Sequence, residues 1–124
     1  AIDLRDSPAK VPVIAQLLIY PASDLRTDYP SLDRFGEGYM LTKRSLDWFS
    51  DCYAADIAHP RASPMANASL AGVPPTVIVT ASLDPIRDQG RAYAAALIDA
   101  GVPVVFREAA GNVHGFITLR RAIP

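Results

Sequence analysis

Two short stretches carry the residues that could do chemistry. Thr80-Ala81-Ser82-Leu83-Asp84-Pro85-Ile86-Arg87-Asp88 sets a carboxylate at the end of an apolar run, and Gly111-Asn112-Val113-His114-Gly115-Phe116 sets a histidine between glycines. Nucleophilic hydrolysis needs a base within hydrogen-bond reach of a hydroxyl, and a carboxylate that holds the base's tautomer and stabilises the imidazolium. Asp84 and His114 have the types for those two tasks, and acid before base is the chain order of the last two members of a Ser…Asp…His triad. They lie 114 − 84 = 30 residues apart. That is room for one helix and one strand to return both to the carboxyl edge of a sheet, where open α/β sheets build their sites. Plainer roles exist for each. An aspartate before proline at a helix start is commonly an N-cap, and a histidine in a glycine loop is commonly a surface or capping residue. Asp88, one turn further on, is the competing acid. None of the serines stands in a Gly-x-Ser-x-Gly setting, the tight strand-to-helix turn that exposes a nucleophilic hydroxyl.

Other chemistries find less support. The single cysteine excludes a disulfide framework and a cysteine-rich metal site, and Cys52, set in an apolar helical pattern, reads as a buried structural thiol. Asp24, Asp28 and Asp33 are too scattered to hold a metal and read as solvated; His59 beside Pro60 reads as a surface residue. No cofactor or metal is called for. A net charge of −1 with interspersed signs gives no footprint for nucleic acid. A phosphoacceptor role for Asp84 would need an acidic pair near the N-terminus and a lysine at a later strand end, and neither occurs. No Gly-x-Gly-x-x-Gly loop follows a strand to cradle a dinucleotide. The longest apolar run, Val11 to Tyr20, is broken by Pro12 and Gln16 and is well short of the roughly 20 residues of a spanning helix. With no leader pattern at the N-terminus, the expected compartment is the cytoplasm.

The elements that would position the pair alternate. Ile14 to Tyr20 predicts a strand covered on both faces, and the polar, Pro- and Gly-punctuated stretch from Ala22 to Met40 predicts a long loop. Thr42 is a natural N-cap for a helix running to about Ala55, with Leu41, Ser45, Trp48, Phe49, Cys52 and Tyr53 on one apolar face. Asn67 to Gly72 could close a short helical turn. The β-branched run from Thr76 to Ala81 predicts a buried strand. Behind Pro85, a helix with Ile86, Gly90, Tyr93, Ala94, Leu97 and Ile98 on one face should stop at Gly101. Val102 to Arg107 predicts a third strand, at an edge because of Pro103. A loop of Ala, Gly and Asn should then lead to His114, and a last helix should begin near Phe116. Alternation of this kind implies a parallel sheet. Three such strands are few for a free-standing domain, and Ala1 to Asp6 and Phe116 to Pro124 both read as parts of helices.

With those elements in order, a resemblance can be drawn. Ala15-Gln-Leu-Leu-Ile-Tyr-Pro21, Gly38-Tyr39, Trp48-Phe49, Ala62-Ser63-Pro64, Gly72-Val-Pro-Pro75, Leu83-Asp-Pro-Ile-Arg-Asp88-Gln-Gly90 and His114-Gly-Phe116 resemble the C-terminal half of an α/β-hydrolase of the hormone-sensitive-lipase-like carboxylesterase branch. The resemblance implies a partial α/β-hydrolase fold in which three parallel strands with flanking helices are the last three of the family's sheet. Residues 1–124 would be the C-terminal portion of a single domain, cut inside elements at both ends. It implies a cofactor-free serine carboxylesterase of short- to medium-chain acyl esters, with Asp84 and His114 as acid and base. Leu83, Phe116 and Tyr39 would then line the substrate pocket. The family's Gly-Asp-Ser-Ala-Gly turn and His-Gly-Gly-type oxyanion loop do not occur here, which puts the nucleophile upstream of Ala1 and leaves this chain inactive alone. Expected partners are a small ester, the N-terminal half, and a second copy paired through the edge strand at 102–107. That last contact is the basis of an alternative reading as a non-catalytic dimerising half-domain.

Overall fold

A computed structural model describes residues 1–119. Strands β1 (Gln16–Ile19), β2 (Thr76–Leu83) and β3 (Val104–Val113) form one parallel sheet in the order β1-β2-β3. This is the partial α/β fold that the alternation predicts. Helices α1 (Ile2–Asp6), α2 (Pro30–Phe35), α3 (Lys43–Tyr53) and α4 (Arg87–Asp99) flank or precede the strands, with single helical turns at Pro64–Ala66 and Phe116–Thr118.

The core lies between the sheet and α4. Gly90, Tyr93, Ala94 and Leu97 recur at three- and four-residue spacing and are buried, so one face of α4 meets Ile78, Val102, Leu70 and Val73. Ile78 and Leu97 are 0% exposed, and burying such side chains contributes about 1.5–3 kcal/mol each. Gly90 lets helix and strand approach closely: a Cβ there would stand 2.6 Å from Thr80 Cγ2. Gly101, at φ +78°, takes the left-handed conformation that ends α4.

Several expectations need correction. Ile98 is 56% exposed, because at 3.6 residues per turn it stands about 100° round from Leu97 and falls off the packed face. β1 is shorter than expected and is not covered on both faces: Leu17 is 61% exposed, since α4 serves the opposite face of the sheet. The stretch from Ala22 to Met40 is not all loop. It contains α2, started by Pro30 in the first turn and held by contacts to α4 rather than by its own short pattern. The helical turn expected at 67–72 falls earlier, at Pro64–Ala66.

α3 begins as predicted, with Thr42 Oγ1 accepting from the Ser45 amide. Its apolar face is uncovered among the described residues. Trp48, Phe49 and Tyr53 are more than half exposed, and Cys52 is exposed rather than buried, because α3 stands out on the β1–β2 connection and does not pack on the sheet. β3 starts two residues later than expected and runs on through the supposed loop to Val113. A register shift accommodates this: Ala81 pairs with Ala109, but Leu83 pairs with Val113. Gly111, at φ +70°, turns within the irregularity, and its amide donates to Ser82 Oγ at 2.8 Å. The last helix expected from Phe116 is a single turn at Phe116–Thr118; the remainder of that expectation lies outside the described residues.

Candidate functional site

Asp84 follows the last residue of β2, and His114 follows the last residue of β3. Parallel neighbours bring both to the carboxyl edge of the sheet. There His114 Nδ1 lies 2.7 Å from Asp84 Oδ2. The aspartate is fully buried and the imidazole one quarter exposed. With the carboxylate ionised it can only accept, which assigns the proton to Nδ1; in the neutral imidazole Nε2 is then the acceptor. The other oxygen, Asp84 Oδ1, accepts the Ile86 amide at 2.9 Å, an Asx turn that leads the chain past Pro85 into α4. The turn-forming role and the histidine-binding role therefore coexist, one on each oxygen. A buried charge is tolerated only with such partners.

A tyrosine that sequence reasoning missed completes the immediate surroundings. The Tyr20 and His114 rings are 4.4 Å apart between centroids, tilted by 54°. Phe116 meets the Tyr20 ring edge-on at 5.8 Å. Tyr20 is at φ +38°, a conformation of order 1–3 kcal/mol uphill for a non-glycine residue, and the proline that follows disfavours it further. Its amide still donates to the Val79 carbonyl at 2.6 Å, which ties the turning backbone to the sheet. The sequence hinted at this only through Tyr-Pro at a strand end.

A cleft of about 530 Å³ opens beside His114, lined in part by Tyr20, Leu25, Leu41, Phe49, Tyr53 and Ile86. Its walls are mainly apolar and include no Asp, Glu, Lys or Arg. Of the expected pocket residues, Phe116 reaches the site through Tyr20. Leu83 sits at the end of β2 opposite Val113. Tyr39 packs edge-on against Phe35 at 5.2 Å and is not among the residues of this cleft.

Asp88 is engaged elsewhere. It accepts from the Ser31 amide at 3.0 Å and from Arg87 Nε at 2.8 Å, with Arg91 at 3.3 Å. Ser31 in turn donates to the Pro85 carbonyl at 2.8 Å. The network clamps α2 onto the first turn of α4. Burial works to raise the Asp88 pKa, but Arg87, Arg91 and the Ser31 amide outweigh it and hold the carboxyl below its ordinary value. Asp24 behaves alike. The sequence reading of a solvated aspartate is wrong, for Asp24 is 2% exposed. It accepts from Arg26, Thr27 and Tyr29, and these bonds overcome desolvation to lower its pKa. Gln89 Oε1 accepts the Ser23 and Asp24 amides, which fastens this turn to α4. His59 is exposed, as expected. Among the described residues no group of His, Cys, Asp and Glu could hold a metal ion, and no helix is long and apolar enough to cross a membrane.

Comparison with known proteins follows the same line. A family model for the α/β-hydrolase fold matches residues 1–118. The carboxylic ester hydrolase LipN of Mycobacterium tuberculosis is 42% identical over 110 residues, covering 86% of this chain and 29% of LipN. An ethyl acetate hydrolase of Pseudomonas putida is 38% identical over 107 residues, covering 84% of this chain and 34% of that protein. Among solved structures, an ester hydrolase from the metagenome of Lake Arreo superposes with a TM-score of 0.86 at 38% identity, covering 97% of this chain and 39% of that one. A thermostable esterase of Pseudomonas putida superposes with a TM-score of 0.87 at 32% identity, covering 93% and 37%. The chain thus spans about a third of the length of the curated relatives it matches.

Proposed function

The chain belongs to the α/β-hydrolase fold family, in its hormone-sensitive-lipase-like carboxylesterase branch, and on that premise we propose that it supplies the acid and base of a serine carboxylesterase. The observation that carries this reading is the 2.7 Å contact between His114 Nδ1 and the buried Asp84 carboxylate, beside a cleft with apolar walls. His114 Nε2 would take the proton from the attacking serine hydroxyl and return it to the departing alcohol. Asp84 would keep the proton on Nδ1 and stabilise the imidazolium formed in between. Residues 1–124 act as the C-terminal portion of one hydrolase domain, and the serine and oxyanion donors come from a segment preceding Ala1. The uncharged cleft suits the apolar part of a short- to medium-chain acyl ester, no cofactor takes part, and the cytoplasm is the setting.

The test compares the 124-residue chain with the full-length protein on p-nitrophenyl esters of increasing acyl length. The isolated chain is expected to stay at background. The full-length protein is expected to turn over the short esters and to lose that activity in His114→Ala. Turnover by the isolated chain that His114→Ala abolishes would overturn the placement of the nucleophile. An active full-length His114→Ala would overturn the role of the base.

A second reading, a half-domain that pairs with another copy, is favoured by one observation: β3 is an outer strand of the sheet. Its exposed Val105 adds apolar surface beside that edge.

A further inference from the structure

Asp84 alone does not fix the base. The imidazole is placed by two side-chain torsions, and the single distance to Asp84 Oδ2 restrains only one combination of them. A coupled change of the two still swings Nε2, the atom that must meet the nucleophile. A second contact has to set the plane of the ring. Tyr20 makes it: its ring lies 4.4 Å from the imidazole centroid, and Phe116 backs it from the side. The tyrosine is itself held at both ends of its backbone, by the Tyr20–Val79 hydrogen bond and by Pro21. Its left-handed φ of +38° is a conformation that neither tyrosine nor a residue before proline favours. Strain of this kind persists where the surroundings over-determine it, and it gathers at sites that need a group aimed. A relaxed, extended Tyr20 would continue the line of β1 and carry its side chain off in a different direction.

We propose that Tyr20 is a positioning residue which sets the direction of His114 Nε2, its ring held over the imidazole by the strained turn at the end of β1. The proposal rests on the reading of His114 as the base. The contact is ring to ring, so the aromatic ring is the working part and the hydroxyl is not.

Three variants of the full-length protein test this. Tyr20→Gly removes the ring and adopts a positive φ freely, so the backbone turn survives. It is expected to lower kcat about 10–100-fold, the scale of a roughly 1 Å misplacement of a catalytic group, with KM little changed. Tyr20→Phe keeps the ring and should rescue kcat. Tyr20→Leu, which fills the space without an aromatic face, should resemble Tyr20→Gly and replaces it if the glycine variant does not fold. A readout independent of activity is the low-field proton resonance of His114 Nδ1, assigned by its loss in His114→Ala. It should stay sharp in Tyr20→Phe and broaden in Tyr20→Gly. A folded Tyr20→Gly with wild-type kcat and a sharp resonance overturns the proposal, as does a Tyr20→Phe as impaired as the glycine variant. His114→Ala keeps the two claims apart. If it retains activity the base reading fails, whereas an inactive His114→Ala beside a fully active Tyr20→Gly removes the positioning role alone.

Discussion

At the scale of residues, two aspartates a single helical turn apart have opposite surroundings. Asp84 faces His114 and one backbone amide; Asp88 faces two arginines and the N-terminus of α2. Asp84→Asn in the full-length protein should therefore lower kcat/KM by about 10⁴-fold through loss of tautomer control with only a modest change in thermal midpoint. Asp88→Asn should do the reverse, lowering the midpoint while largely sparing the rate. Near-wild-type turnover in Asp84→Asn would move the acid to Asp88. The depressed carboxylates also set a pH dependence. Asp24 and Asp88 titrate below their ordinary value in the folded chain, so the unfolded chain binds protons first as pH falls. Their stabilisation is fully present above the ordinary carboxylate pKa of about 4 and is lost as pH drops through the folded values. Urea midpoints measured between neutral pH and about pH 3 should hold level and then fall, and Asp24→Asn should flatten that fall. The meeting of Asp84 and His114 was legible in the sequence because each closes one of two strands that a parallel sheet sets side by side. Tyr20 and Asp24 were not: the Tyr20 contact depends on a backbone turn at the end of β1, and the burial of Asp24 on how its own loop closes around it through Arg26, Thr27 and Tyr29.

At the scale of elements, periodicity revealed what is long and packed. α4 and β2 could be read from their spacing because each buries a whole face or row. α2 could not, since six residues held by Ser31 and Phe35 make no period. The apolar stripe of α3 gave the helix correctly and its burial wrongly, because a hydrophobic face shows that cover is needed and not which element supplies it. The extension of β3 escaped notice because Ala, Gly and Asn have weak strand preference, and sheet pairing overrode it. The close joint at Gly90 offers a direct test. Gly90→Ala would press a methyl group against Thr80 Cγ2 and should cost about 1–3 kcal/mol of stability, the usual range for overpacking. The urea midpoint is the measurement, and an unchanged value would mean that α4 rides higher on the sheet than described.

At the scale of the whole molecule, the described sheet is served by α4 on one face, while Leu17 and Val105 lie exposed, at 61% and 47%. β1 and β3 are its outer strands. Outer strands with free backbone groups and apolar neighbours invite further pairing. The isolated 124-residue chain is therefore expected to self-associate in sedimentation velocity, and Val105→Lys to shift it towards monomer without altering its circular dichroism. If the full-length protein responds as the isolated chain does, β3 is a contact between copies; if it does not, the association belongs to the uncovered piece alone. The irregularity between β2 and β3 reaches furthest. From Ala81 to Leu83 is two steps, while from their partners Ala109 to Val113 is four. An unbroken ladder from Ala109 would set Asn112 level with Asp84. The two surplus residues act as a frameshift within the fold, deciding which side chain is dealt to the carboxylate. Deleting two of residues 110–112 would remove the irregularity and still bring His114 level with Asp84, whereas straightening the ladder at full length would replace the imidazole there with the Asn112 amide, which cannot take up a proton.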